Sequence, residues 1–129
     1  MLVFRVEDAA GVGAYRSKCH RHPEDDARQP LPWEDRGLMA PWAGLCDAGI
    51  HKDYFFGFGS LTQARRWFHD GDWRASAHEA GLRVSVYKVD ALACSPLDRD
   101  AMLAYRGSKQ VVFRKASAQL VRSIPLNTL

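Results

Sequence analysis

The stretch Asp53–Phe68, "DYFFGFGSLTQARRWF", changes its period midway, and that change decides the fold class. Its first half sets a tyrosine and three phenylalanines among glycines. Such a run suits a buried strand whose glycines allow close backbone approach. Its second half is helical. Ser60 and Gln63 form an S-x-x-Q capping box, the signature of a helix start. Leu61, Ala64, Trp67 and Phe68 then recur on one face, with Arg65 and Arg66 opposite. Asp70-Gly71 ends this helix. A second helix follows, with Asp72 as its expected cap, Trp73, Ala77 and Ala80 on its apolar side, and Gly81 as its stop.

Downstream, "LRVSVYKVD" (Leu82–Asp90) is the strongest strand in the chain. Leu82, Val84 and Val86 share one face, and Arg83, Ser85 and Tyr87 the other. Ala91–Arg106 reads as a loop with one helical turn near its end. Lys109–Arg114 and Gln119–Ile124 complete the β content. Upstream, Leu2–Val6 is a short strand closed by Gly11 and Gly13. A long irregular loop at about 16–37, "RSKCHRHPEDDARQPLPWEDRG", is too charged and proline-rich for regular structure. Residues Leu38–Ile50 carry a short helical segment after Pro41. The expectation is one α+β domain over 1–129: a mixed, mainly antiparallel sheet with two short helices. Its expected core includes Val3, Phe58, Trp67, Phe68, Val84, Val86, Val111 and Phe113, together with Phe56 and Leu120.

Composition narrows the class. The chain has 129 residues, 47% hydrophobic and 26% charged, which is globular material. A net charge of +3 with scattered basic residues argues against nucleic-acid binding, which shows a clustered basic face. Cys19, Cys46 and Cys94 are odd in number and lack CxxC spacing, so neither a disulfide scaffold nor a structural zinc site is expected. His20 and His22 lie beside Glu24, Asp25 and Asp26, but no third ligand is anchored nearby, so no metal site is expected. The N-terminus lacks a signal-peptide pattern and no apolar run approaches 18 residues. A cytoplasmic protein that does not enter a membrane is expected.

Two residues are out of character in their strands. Arg5 lies inside the first strand, where an unpaired buried charge is costly, so it either faces solvent or meets an anion. Gln110 stands beside Val111, Val112 and Phe113, where bulky apolar residues belong. An arginine on the first strand, an aromatic strand running into a serine and a helix, and an acid or amide on a late strand form a recognisable order. In that order the chain resembles the ADP-ribosyltransferase-like superfamily. The resemblance implies that Arg5, with Tyr54 or Ser60 in "YFFGFGSLTQARRWF", holds NAD. It also implies that Gln110, in "GSKQVVF", occupies the position of the catalytic glutamate. The Ser-Thr-Ser triplet of the family is absent. A neutral amide can bond a ribose hydroxyl, but lacks the charge that stabilises a developing ribosyl cation. The resemblance further implies that Arg5 and Gln110 share one cleft.

The chain also resembles small phage or prophage accessory proteins, short and without a housekeeping motif. Such proteins bind and block host complexes, as anti-CRISPR proteins do. In that alternative the partner is a host protein, and the charged loop with Trp33 and Trp42 supplies the anchors.

Overall fold

The computed structural model describes residues 1–16, 34–89 and 104–129. Two three-stranded antiparallel sheets form its frame. In the first, β1 (Leu2–Glu7), β3 (Arg83–Lys88) and β6 (Gln119–Pro125) lie in the order β1-β3-β6. In the second, β2 (Tyr54–Gly57), β4 (Ala104–Arg106) and β5 (Val111–Arg114) lie in the order β2-β5-β4. One bridge joins them: Phe4 N donates to Phe58 O at 2.9 Å, and Phe58 N to Phe4 O at 2.8 Å. β1, β2 and β5 are therefore successive neighbours, although β1 ends at Glu7, β2 begins at Tyr54 and β5 begins at Val111. All of the described strand pairings are antiparallel, so the expected mixed sheet is resolved into two antiparallel ones.

Among the described residues there are three α-helices rather than two: α1 (Met39–Asp47), α2 (Leu61–Trp67) and α3 (Gly71–Glu79). The helix near Pro41 begins two residues ahead of it, which a proline tolerates in a first turn, where the N–H has no helical partner. Ser60 caps α2 as its pattern implies, Oγ accepting from Gln63 N at 3.0 Å. The Gln63 carboxamide bonds Gly59 N at 2.8 Å, one residue outside the cap position of a standard box. The cap of α3 is Asp70, not Asp72: Asp70 Oδ1 accepts from the N–H groups of Asp72 and Trp73. β4 was not evident in the sequence, because its three residues carry one aromatic and no apolar alternation.

The core has two parts. One face of β1 packs Phe4 and Val6 with Phe58, Trp67, Phe68, Trp73, Val84 and Val86 beneath α2 and α3. The other face packs Val3 with Tyr87, Val89, Val111 and Phe113. β3 is central and buried on both faces, which is why Ser85 and Tyr87 are buried along with Val84 and Val86. Two expected core residues are not in it. Phe56 is 38% exposed and Leu120 49% exposed, because the Trp42 ring covers Phe56 only in part and the edge strand β6 is not covered among the described residues. Leu38 and Leu126, fully buried, take part in their stead.

Candidate functional site

Strand alternation sets Val3, Arg5 and Glu7 on one face of β1. The arginine meets an anion, and the anion is its own chain's Glu7. Arg5 Nε donates to Glu7 Oε1 at 3.0 Å, Nη1 to Phe56 O at 2.8 Å and Nη2 to Gly11 O at 3.4 Å. Glu7, 2% exposed, also accepts from Tyr87 Oη at 2.8 Å and is paired with Lys115 Nζ at 3.3 Å. Both cations lie over the Phe55 ring, 5.1 Å from its centroid. This is a closed network: two cations, one carboxylate and one phenol, with the arginine's donors spread over three acceptors. Burial pulls the Arg5 guanidinium down from its ordinary value, against the upward pull of Glu7.

Burial, with the hydrogen bond to Glu7 and its charge, pushes the Tyr87 phenol from 10.0 up to about 12. An acid with a raised folded value keeps its proton while the unfolded chain loses one. Its contribution to stability is complete below pH 10 and is lost as the pH rises toward 12. The denaturation midpoint of the protein should therefore fall between pH 10 and 12, and the fall should be shallower in Tyr87→Phe. Parallel slopes for the two would remove Tyr87 from the network.

A second site lies between the start of α2 and the β4–β5 hairpin. It is an open cleft of about 840 Å³, whose walls include Gly59, Ser60, Gln63 and Arg66 on one side and Arg106, Gly107, Ser108 and Lys109 on the other. His69 and Trp67 also line it, and no acidic residue does among the described residues. Gln63 Nε2 reaches across to Ser108 O at 3.5 Å. The hairpin is held by Gly107 N donating to Gln110 O at 2.8 Å.

The residues singled out in the sequence are distributed unequally over these sites. Ser60 lines the cleft as well as capping α2. Gln110, 3% exposed, follows Lys109 at the foot of the hairpin. Carried one residue back from Val111, the alternation of β5 puts it on the face of Val112, opposite Arg5. Tyr54 is buried on β2 with its ring 6.1 Å from Tyr105, and burial raises its phenol above the ordinary value. Arg5 is outside the cleft and committed to Glu7. Arg5 and Gln110 thus fall on opposite faces by strand alternation, and neither is among the residues that line the cleft. His20, His22, Cys19, Cys94 and Trp33 lie outside the described residues. No group of His, Cys, Asp and Glu suited to a metal ion occurs among the described residues.

Sequence reasoning missed Glu7, Lys115, Arg106 and Lys109. The i, i+2 spacing of Arg5 and Glu7 was a usable signal, since it puts opposite charges on one strand face. Nothing local marks Lys115 or the hairpin cations, which reach their sites through the pairing of β5.

A family model described as the bacteriophage T4 Y00F protein matches residues 1–127. The chain belongs to that family. It is a small phage protein, as its resemblance to accessory proteins implied. No curated protein and no solved structure matches it. The family match carries no relation to ADP-ribosyltransferases. No helix among the described residues is long and apolar enough to cross a membrane.

Proposed function

We propose that this member of the T4 Y00F family is a nucleotide-binding module that holds a phosphorylated ligand, NAD or a related nucleotide, in the basic cleft. The observation that carries this reading is the lining. Arg66 and Arg106 line one open cleft together with Lys109 and His69, and no acidic residue among the described residues lines it. Guanidinium groups bond phosphate oxygens in a bidentate fork, so a pyrophosphate suits this set. Ser60 and Gln63 add neutral polar groups of the kind that bond ribose hydroxyls. The cleft also joins two of the three segments on which the resemblance to ADP-ribosyltransferases rests, the strand-to-helix turn at Ser60 and the hairpin leading to Gln110.

Binding without transfer is the better supported form of the reading. Arg5 is occupied by Glu7, and the position of the family's glutamate holds an amide without the negative charge that a ribosyl cation requires. Calorimetry with NAD and with ADP-ribose tests it. The protein should bind at least one, and Arg66→Glu combined with Arg106→Glu should weaken binding at least about 100-fold, since charge-assisted bonds contribute about 1.5–3 kcal/mol each. Absence of heat for both ligands would end the reading. Gln110→Glu should not gain NAD hydrolysis or transfer; a gain would show a latent transferase.

A second reading, a non-enzymatic anti-defence protein of the anti-CRISPR kind that blocks a host complex, is favoured by a different feature. Met39 is 54% and Phe56 38% exposed, and the Trp42 ring packs 5.5 Å from that of Phe56. Exposed aromatic and Met clusters of this sort anchor protein partners.

A further inference from the structure

The hairpin wall of the basic cleft is held from outside by one buried carboxylate. Asp35, 1% exposed, is a charged residue with no lysine or arginine bonded to it in the described contacts. Its partners are all hairpin groups. Oδ1 accepts from Ser108 N at 2.6 Å and from Ser108 Oγ at 2.7 Å, and Oδ2 accepts from Lys109 N at 3.2 Å. Two successive backbone N–H groups thus converge on one carboxylate, the arrangement by which a backbone nest holds an anion. Ser108 N also donates to Arg36 O at 2.8 Å, so that N–H is shared between a side chain and a backbone acceptor.

The fit leaves no slack. Asp35–Leu38 is a turn closed by Leu38 N donating to Asp35 O at 3.0 Å, with Gly37 at φ 89°. That backbone conformation favours glycine, and a Cβ at Gly37 would stand 2.9 Å from Arg106 O. A Cβ at Gly107 would stand 2.6 Å from the Asp35 carboxylate and 2.7 Å from Leu38. The two glycines are what lets the turn before α1 and the hairpin close on each other.

The geometry points to Asp35 as the positioning residue of the cleft: an internal anion that fills the Ser108–Lys109 amide pair and so fixes the wall carrying Arg106 and Lys109. With those amides occupied, an incoming phosphate is left to side chains of the lining, Arg66 and Arg106 first among them. This inference rests on the cleft being the ligand site, and Asp35 itself touches no ligand there.

Amide hydrogen exchange and NAD calorimetry on the full chain test it together, with Asp35→Ala and the near-isosteric Asp35→Asn. Asparagine keeps one acceptor oxygen and puts an NH2 group against the second N–H. In Asp35→Ala, exchange at Ser108 and Lys109 should quicken at least tenfold, while β3 amides keep their protection. NAD affinity should fall about tenfold or more, and Asp35→Asn should recover part of both. Unchanged exchange at Ser108 and Lys109 would overturn the inference, as would loss of β3 protection in Asp35→Asn, which would make Asp35 a general stability residue. So would a normal NAD affinity in a variant whose hairpin amides are freed. If the unaltered protein fails to bind NAD, the nucleotide reading falls, and with it the ligand role of Asp35. The exchange arm still decides separately whether Asp35 holds the hairpin.

Discussion

Glu7→Ala should destabilise the protein by about 3–5 kcal/mol, the usual cost of breaking a buried ion pair from one side. The reason is the asymmetry of the network. Among the described residues Glu7 is the carboxylate bonded to both cations and the phenol, so its removal leaves Arg5 and Lys115 without that partner over the Phe55 ring. Arg5 keeps its backbone acceptors at Phe56 and Gly11, but they carry no compensating charge. Against a total stability of about 5–15 kcal/mol for a domain of this kind, the loss is a large fraction. Urea unfolding of the variant checks it. Arg5→Ala should cost less, because Glu7 keeps both Lys115 and Tyr87. Equal midpoints for Glu7→Ala and the unaltered protein would show that the carboxylate is dispensable.

Trp67→Ala should produce a loss of similar size, about 3–5 kcal/mol, by a different mechanism: a cavity left by a large buried ring. Trp67 is 6% exposed, and its ring lies 5.4 Å from that of Phe58, whose backbone bridges to β1 just after β2. Its Nε1 also donates to Tyr15 Oη at 2.6 Å, tying the segment after β1 to α2. Because Trp67 lines the cleft as well, the variant should lose ligand affinity along with stability. Trp67→Phe restores most of the ring volume without the N–H. It should recover most of the stability, and a thermal midpoint as low as that of the alanine variant would assign the loss to the hydrogen bond instead.

The class of the fold was legible because its signals are local. Ser60 and Gln63 announce a helix start within four residues. The alternation around Val84 and Val86 marks a strand wherever that strand goes. Phe56 and Leu120 show the limit of the same logic: an apolar residue in a strand reads as core, but only the neighbours of β2 and β6 decide whether that face is covered. Arg5 shows it again. Sequence reasoning left Arg5 either solvent or an anion, and the resemblance offered NAD, when a carboxylate two residues along the same strand was available.

The sequence by itself determined an α+β domain, the cap of α2, the central strand at Leu82–Asp90 and the oddity of Arg5 and Gln110. Each of these follows from interactions within about one turn or one strand, where the periods of 3.6 and 2 hold. Tertiary structure alone decided that β1, β2 and β5 are neighbours, that Lys115 closes the Glu7 network, and that Asp35 grips the hairpin 73 residues away at Ser108. The physical reason is that strand pairing and charge pairing depend on distance in space. A side chain carries no mark in the sequence of which distant strand will bring it a partner.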